Sequence, residues 1–400
     1  MMLLYPVAAF LTALVSAWIG SLIALRPLGK PPPVFWVDRA RLAYPARMTT
    51  ALTTVFMALV VVGLNFALGE DMENMPGGWA IGLTAMAAYV GGLVIAVITE
   101  RHVRGQTFRV GIWVRDLITR LLILSLYGGT VVGTIYLLPD TVNLRAVSIL
   151  VVAMLVLTFT ALGGVPMLFR WTGLVRPASP RLTAIVAEAV ARTGIKPKGA
   201  HEVKSTQANA MAMVVQQRLV VTNRAMEHLT DAELTSICAH ELAHLSEPKS
   251  VTILRVFCAL QLFLVCMAYR PVLGDFGHTG VIVMLVAFLI VLKATRRVAR
   301  RMEVRADATG RAHQGEEGTY AQALERIYEL NLMPAVMSGK RRVHPHLYDR
   351  LVAAGVTPSY PRPKPPSRLV IWLSLVVAVT VAAILYGTAF ILLNMMTVSG

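Results

Sequence analysis

The sequence predicts a mostly α-helical, polytopic membrane protein with about eight transmembrane helices and a smaller, polar α+β domain. Hydrophobic residues make up 56% of the 400 residues and charged residues only 15%, whereas a soluble domain carries about 25% charged residues. The apolar residues are concentrated in long runs rather than spread over the chain. Three cysteines are too few for a disulfide-rich secreted scaffold.

Eight apolar runs are long enough, or nearly so, to cross a bilayer as a helix, which takes about 20 residues. They cover residues 2–25, 51–68, 79–98, 119–138, 146–169, 251–269, 279–294 and 369–395. The seventh run is the shortest. The first has no basic residues before it and no small-residue cleavage site after it, so we expect a membrane span rather than a signal peptide.

The lysines and arginines between these runs predict the orientation of the spans, because short basic loops stay in the cytoplasm. The basic loops are 26–50, 99–118 and the stretch directly after the seventh run. The loops with one basic residue or none are 69–78, 139–145 and 270–278. Both termini are therefore expected outside, and residues 170–250 and 295–368 inside the cytoplasm.

The net charge of +16 follows the same pattern, so we interpret it as contact with the lipid bilayer. No aromatic and basic platform accompanies it, and nucleic-acid binding is not expected. The frequent alanines and arginines favour a bacterial protein, which would lie in the cytoplasmic (inner) membrane. The sequence does not indicate an oligomeric state.

The polar stretch after the fifth run predicts alternating helices and strands. Residues 181–193 have the pattern of an amphipathic helix that ends at Gly194. A short strand is predicted at 200–205, and a strand pair at 209–214 and 217–222.

A second helix is predicted to begin at Thr230, because Thr230 and Glu233 have the spacing of a capping box. The helix is expected to run to about Leu245, before Pro248. The remaining polar stretch, after the seventh run, predicts a helix near 319–333.

The helix that begins at Thr230 contains the sequence His240-Glu241-Leu242-Ala243-His244, an HExxH motif. Histidines four residues apart lie on one helical face and can bind one zinc ion at ~2.0–2.1 Å. Glu241 is placed to act as the base for a water activated by that metal. The alternative is an exposed polar face of a surface helix. The position in a capped helix just before a membrane span favours the zinc site.

A catalytic zinc ion has three protein ligands, so a third ligand must lie elsewhere in the chain. Glu303 and Asp307 are one helical turn apart, directly after the seventh run. Glu303 could bind the metal while Asp307 accepts the second N–H of a ligand histidine. Salt bridges with the neighbouring arginines are the alternative, and spacing alone leaves both interpretations open.

With these residues the chain resembles the HtpX and CAAX prenyl endopeptidase (type I) family of integral-membrane zinc metallopeptidases. In that family HExxH is followed, after a hydrophobic hairpin, by an E-x-x-A-D motif, which resembles the stretch from Glu303 to Asp307. An Asn-Ala pair at the start of a substrate-binding edge strand resembles Asn209-Ala210. The resemblance covers roughly residues 180–355.

A fourth motif, a late His-Pro followed by Arg, resembles His344-Pro345 and Arg350. The resemblance implies that His344 stabilises the oxyanion of the reaction intermediate and that Arg350 holds substrate or structure. The chain departs from HtpX-like members at Lys249, where they have Asp. It also has a C-terminal span that the family does not have.

The resemblance implies a zincin-like α+β metallopeptidase domain on the cytoplasmic side. One Zn²⁺ per chain would be held by His240, His244 and Glu303, with Glu241 and His344 as catalytic residues. Asn209, Ala210 and Arg350 would bind substrate, and Asp307 would orient a ligand histidine.

The expected organisation has five parts. They are a five-helix N-terminal membrane region (1–170), a first peptidase segment (171–250), a transmembrane hairpin (251–294), a second peptidase segment (295–368) and a C-terminal span (369–400).

The predicted function is that of an integral-membrane zinc metalloendopeptidase acting on peptides or membrane proteins. One alternative is a protease-like signalling receptor, which would need a large external sensor domain, whereas the loops predicted outside are short. Another is a transporter, whose path would be marked by charges inside the spans. Arg255 is the clear charge of this kind.

Overall fold

A computed structural model of the chain describes residues 4–29, 33–68, 78–104, 110–337 and 345–398. The predicted catalytic residue His344 and almost all of the 69–78 loop lie outside these residues. The chain forms two compact units. The first comprises 1–108, 332–338 and 359–400, and the second 109–331 and 339–358.

The described part of the chain is mostly helical, as predicted, with one small sheet. The helices are α1 Leu4–Leu25, α2 Trp36–Leu68, α3 Gly78–Arg104, α4 Val110–Leu137, α5 Leu144–Phe159, α6 Val165–Trp171, α7 Pro180–Thr193, α8 Asn223–His228, α9 Asp231–Leu245, α10 Lys249–Ala312, α11 Thr319–Asn331, α12 Leu347–Ala353 and α13 Arg368–Val398. The strands are β1 Val175–Pro177, β2 Gly199–Val203, β3 Ala210–Met213 and β4 Arg218–Thr222. A short 3-10 helix covers Arg26–Leu28 and a π-helix covers Thr160–Gly164.

Seven helices of the described residues are long and apolar enough to cross a membrane. Five of them correspond to α1, α2, α3, α4 and α13. The other two are Leu144–Trp171, which joins α5 to α6 through the π-helix, and α10. The predicted sixth and seventh runs both lie in α10, so the number of eight spans stays a prediction.

Helix α10 reverses its direction near its middle. Gly277 has φ 58° and ψ −159°, a conformation that glycine adopts without the steric cost of a Cβ atom. His244, before the helix, and Glu303, near its end, have side-chain atoms 3.7 Å apart. A straight helix from Lys249 to Glu303 would separate its ends by about 80 Å. The helix therefore folds back on itself, and the assignment of its two arms to two membrane spans stays a prediction.

Helix α2 begins earlier than the sequence predicts. Residues 26–50 were expected to be a loop because they carry many charges, but the helix begins at Trp36. One face of this segment is apolar at three-residue spacing and fully buried, at Val37, Ala40, Ala43 and Ala46. The charged side chains occupy the other faces, so a charged sequence still forms a regular helix.

The first unit is a bundle of α1, α2, α3 and α13. Small residues allow its helices to approach closely, and a Cβ atom on Gly91 of α3 would lie 2.5 Å from the Phe10 carbonyl oxygen of α1. Two buried polar contacts between its helices are Asn65 Nδ2 to the Tyr386 hydroxyl at 2.9 Å and Ser21 Oγ to Thr99 Oγ1 at 2.8 Å. Close packing and interhelical hydrogen bonds are typical of helix association in membranes.

The second unit contains a four-stranded sheet in the order β1-β2-β4-β3. Strands β2 and β4 are parallel and the other two pairs are antiparallel. Helix α7 follows the predicted bounds, with Ser179 as N-cap and Gly194 at φ 71° as C-cap. The predicted strands at 200–205, 209–214 and 217–222 are confirmed as β2, β3 and β4 within one or two residues. Strand β3 lies at an edge of the sheet.

Two loops that the charge pattern places on the same side are in contact. Asp140, in the 139–145 loop, forms an ion pair with Arg270, which lies in the segment 270–278 that was predicted as a loop and belongs to α10 in the structure. The Val142 N–H donates to Asp275 Oδ2 at 2.7 Å. The two segments therefore lie next to each other, and their location outside stays a prediction.

Candidate metal centre

Helix α9 carries the HExxH residues and begins with the predicted capping box. The Glu233 N–H donates to Thr230 Oγ1 at 3.3 Å, and the Thr230 N–H donates to Glu233 Oε2 at 2.8 Å. These bonds satisfy two backbone donors that a helix N-terminus otherwise leaves open. The helix packs against α7, α10, α11 and the sheet, so its central turns are buried. The side chains of His240 and His244 are each 9% exposed.

His240, His244 and Glu303 bring three possible ligand atoms within 4.8 Å of one another. Glu303 Oε2 lies 3.9 Å from His240 Nε2, and Glu303 Oε1 lies 3.7 Å from His244 Nε2. Two zinc–ligand bonds of ~2.0–2.1 Å at the tetrahedral angle place their donor atoms about 3.4 Å apart. The hairpin of α10 thus brings the three predicted ligands to separations that suit one zinc ion.

A buried network holds the far side of the His240 ring. The Tyr320 hydroxyl lies 2.8 Å from His240 Nδ1 and donates to Asp307 Oδ1 at 2.8 Å. Arg350 donates to both Asp307 oxygens, from Nε at 2.9 Å and from Nη2 at 2.5 Å, and from Nη2 to the Tyr320 hydroxyl at 3.0 Å. Asp307 Oδ1 is itself 3.3 Å from His240 Nδ1.

Because the Tyr320 hydroxyl donates to Asp307, it accepts from His240 Nδ1–H and from Arg350. Its one donor and two acceptor positions are then all used. Burial raises the pKa of this phenol well above its usual value, although the Arg350 guanidinium opposes the shift. Tyr320 therefore stays protonated and keeps its proton on the Asp307 side.

A second buried carboxylate holds the His244 ring. Glu247 Oε1 lies 2.6 Å from His244 Nδ1, and the Glu247 side chain is 1% exposed. Arg255, the charge that the sequence places inside a span, pairs with Glu247 at 3.1 Å through each of two nitrogens. Burial alone lowers the pKa of His244, but the hydrogen bond to Glu247 and the nearby carboxylates of Glu241 and Glu303 raise it overall.

Both rings therefore use Nδ1–H as a donor to a partner behind them. This arrangement leaves the lone pair of each Nε2 as a ligand atom, and both Nε2 atoms lie near the Glu303 carboxylate. Two imidazole nitrogens and one carboxylate form a donor set that zinc accepts in catalytic sites. The residues present thus fit a zinc ion in donor type, spacing and outer hydrogen bonds.

Glu241 projects into the same space. Its Oε1 lies 3.9 Å from His240 Nε2, and its Oε2 accepts a hydrogen bond from the Ala212 N–H at 2.7 Å. Burial raises the pKa of this carboxyl group, while His240, His244 and the Ala212 N–H oppose the shift. The Ala212 N–H thus holds the Glu241 carboxylate beside the position that a metal bound by His240, His244 and Glu303 would take.

The free edge of β3 runs along this centre. Asn209 exchanges hydrogen bonds with Thr222, through the Thr222 N–H at 2.9 Å and Thr222 Oγ1 at 2.8 Å. In an antiparallel pair, the backbone N–H and C=O groups of every second residue point toward the partner strand. Because those of Asn209 point toward β4, those of Ala210 and Ala212 point away from it. The Ala212 bond to Glu241 shows that this edge lies next to the HExxH helix.

Three residues of the centre have no counterpart in the sequence predictions. Tyr320 follows His240 by 80 positions, and no spacing connects the two. Glu247 lies three residues after His244, a spacing that places side chains on one face and could have indicated it. Arg255 was noted only as a charge in a span. The sequence placed Asp307 behind a ligand histidine, and in the structure Tyr320 lies between the two as an additional partner.

Comparison with known proteins finds similarity over this part of the chain. Residues 178–356 match the model of Peptidase family M48. The "Protease HtpX homolog" of Acidiphilium cryptum (strain JF-5) is 27% identical over 165 residues, which are 38% of this chain and 58% of that relative. The chain thus spans little more than half the length of this curated relative. No solved structure matches the chain. The resemblance predicted from the motifs is confirmed, since residues 178–356 are similar to Peptidase family M48 and to an HtpX homolog.

Proposed function

We propose that the chain is an integral-membrane zinc metalloendopeptidase that cleaves peptides or membrane proteins at a cytoplasmic active site. The observation that carries this proposal is the convergence of His240, His244 and Glu303 within 4.8 Å, with Glu241 beside them. The M48 match and the seven apolar helices support a membrane peptidase.

In this proposal His240, His244 and Glu303 hold one zinc ion, which would polarise the scissile carbonyl and make water a stronger nucleophile. Glu241 takes a proton from the attacking water and passes it to the leaving amine. The Ala212 N–H holds the Glu241 carboxylate in place.

An extended substrate would pair with the free edge of β3. Ala210 offers its N–H and C=O to such a strand, and Asn209 fixes the start of β3 through its bonds to Thr222. Strand addition of this kind binds peptides through backbone groups. Arg350 is buried and bound to Asp307, so we assign it a structural role rather than substrate binding. His344 is proposed as the oxyanion donor on the family resemblance.

Substitution of the ligands and of the base tests the proposal. We expect His240→Ala, His244→Ala and Glu303→Ala to lose zinc, measured by elemental analysis of the purified full-length protein. Glu241→Gln should keep zinc but lose cleavage of an unfolded protein substrate, since it removes only the base. Full zinc occupancy in Glu303→Ala would place the third ligand elsewhere. A wild type that binds zinc but cleaves nothing would favour the signalling receptor.

The transporter alternative depends on charges inside the spans, and Arg255 is accounted for in another way. Its guanidinium pairs with Glu247, which in turn contacts His244. The charge in this span therefore belongs to the candidate metal centre rather than to a transport path.

A further inference from the structure

A second group of ionisable side chains lies where α6 meets the sheet, away from the metal centre. Arg170 Nη2 lies 3.3 Å and Arg218 Nη1 lies 3.1 Å from His201 Nε2. Strands β2 and β4 pair with Gly199 opposite Arg218. Because side chains alternate along a strand, His201 and Arg218 share one face of the sheet. We name Arg170, His201 and Arg218 the basic cluster.

The basic cluster has no counter-charge among the described residues. Neither arginine forms an ion pair with a carboxylate in the described parts of the chain. Glu202, the adjacent residue of β2, projects from the other face and accepts a hydrogen bond from the Ser179 N–H at 3.1 Å. Two guanidinium groups thus converge without an anion between them.

His201 supplies no negative charge, because an imidazole ring is either neutral or positive. Burial and the charges of Arg218 and Arg170 lower its pKa and favour the neutral ring. Its Nε2 has a single lone pair and can fully accept from only one of the two arginines. Each guanidinium has five N–H donors, and most of these are not used by His201. An anion with several oxygens would accept from both arginines together.

The position of the basic cluster indicates which kind of anion would bind to it. Arg170 is the residue before the end of the candidate span Leu144–Trp171. Trp171 is 73% exposed, and Met167, one turn earlier, is 71% exposed. Exposed tryptophans at the ends of spans lie at the level of the lipid headgroups. The cluster is therefore placed where phospholipid phosphates are, next to apolar side chains that can contact acyl chains.

We propose that Arg170 and Arg218 bind the phosphate of an anionic phospholipid headgroup. The planar guanidinium fork matches phosphate oxygens in geometry and charge. The bound phosphate would neutralise the repulsion between the two arginines. His201 would hold the guanidinium groups of Arg170 and Arg218 close together, because its Nε2 accepts one of their N–H groups. This lipid site is separate from the proposed peptidase function and does not depend on it.

Native mass spectrometry of the full-length protein in detergent tests the proposal. The protein is mixed with equal amounts of phosphatidylglycerol and phosphatidylcholine, and the retained lipids are counted. We expect the wild type to retain phosphatidylglycerol preferentially. Arg170→Gln with Arg218→Gln should weaken that retention about thirty-fold, because each arginine near an anionic surface contributes to binding.

The matched control is Lys196→Gln with Lys198→Gln, which removes two positive charges from exposed positions of the loop between α7 and β2. This control should retain phosphatidylglycerol as the wild type does. Equal loss in the two double variants would show a general charge effect and overturn the proposal. Equal retention of both lipids by the wild type would also overturn it.

Two further measurements separate the remaining outcomes. Inorganic phosphate, added in place of lipid, should neither bind nor displace phosphatidylglycerol. Displacement would assign the cluster to free phosphate and overturn the lipid site. If thermal unfolding shows that the double glutamine variant is not folded, the double variant Arg170→Lys with Arg218→Lys tests lipid retention instead. That pair keeps both charges but loses the forked donors, and it should show weaker retention than the wild type. Unchanged retention would contradict the proposal.

Discussion

Glu247 Oε1 lies 2.6 Å from His244 Nδ1, and Arg255 binds the same carboxylate from the other side. This contact connects the HExxH helix to the first turns of α10. Glu247 occurs three residues after His244, close to Lys249, where HtpX-like proteins have an acidic residue. The chain therefore has a buried carboxylate near that position, and this carboxylate orients a proposed metal ligand.

We expect Glu247→Gln to weaken zinc binding about 10- to 100-fold, as is typical for loss of a charged partner behind a ligand histidine. The amide can still accept from Nδ1–H but no longer makes the ring more basic. Competition with a chelator measures the affinity. Glu188→Gln is the control, because it breaks only the exposed pair with Arg192. Unchanged zinc affinity in Glu247→Gln would remove the positioning role.

Tyr320→Phe tests the network behind His240. The substitution removes a hydroxyl that contacts His240, Asp307 and Arg350. We expect about ten-fold weaker zinc binding and a loss of about 1–3 kcal/mol of unfolding free energy, because buried donors lose their acceptor. Asp307→Asn should weaken zinc binding further, since it also removes the charge that pairs with Arg350. Tyr136→Phe, at a position 72% exposed, should change neither quantity.

The hydrogen-bond networks behind His240 and His244 show which parts of the site can be predicted from the sequence. The HExxH helix and its capping box could be predicted because their residues are close in sequence and their spacing follows helical geometry. Glu303 is 59 positions after His244, and the family resemblance supplied that connection. Tyr320 could not be found in this way, because its contact with His240 depends on how α11 packs against α9. Nothing in the local pattern distinguishes it from a core tyrosine.

The start of α2 is a place where the prediction from the sequence is wrong. The charges between Trp36 and Arg47 made this segment resemble a loop, because hydropathy averages over all faces of a helix. The buried face is narrow and consists of small residues such as Ala40 and Ala43. Alanines contribute little to hydropathy, but they allow close helix packing.

Ala212→Pro tests the hydrogen bond that holds Glu241. Glu241 must be ionised to accept a proton, so kcat/KM should fall as the pH drops below its pKa. The Ala212 N–H stabilises the carboxylate and lowers this pKa, and proline has no N–H. Its loss should raise the pKa and move the acid limb of the pH profile to higher pH. Ala212→Gly keeps the N–H and should leave the limb in place. A shift to lower pH in Ala212→Pro would contradict the contact.

The orientation of the spans can be measured with cysteine labels. The charge pattern places the 69–78 loop and the C-terminus outside and residue 200 in the cytoplasm. An impermeant thiol reagent on intact cells should label cysteines introduced at the first two places and not at residue 200. After the cells are opened, all three should react. Labelling at residue 200 alone in intact cells would invert the topology and place the active site outside.

His344→Phe tests the role that the family resemblance gives to His344. A residue that stabilises the oxyanion acts mainly on the transition state, so the variant should fold and keep zinc. Removal of one such donor typically lowers the rate by about 10²–10³, and we expect cleavage at least about 100-fold slower with KM little changed. The comparison is His346→Phe, directly before α12, which should cleave at nearly the wild-type rate. Equal activities of the two variants, or zinc loss in His344→Phe, would show that His344 is not the oxyanion donor.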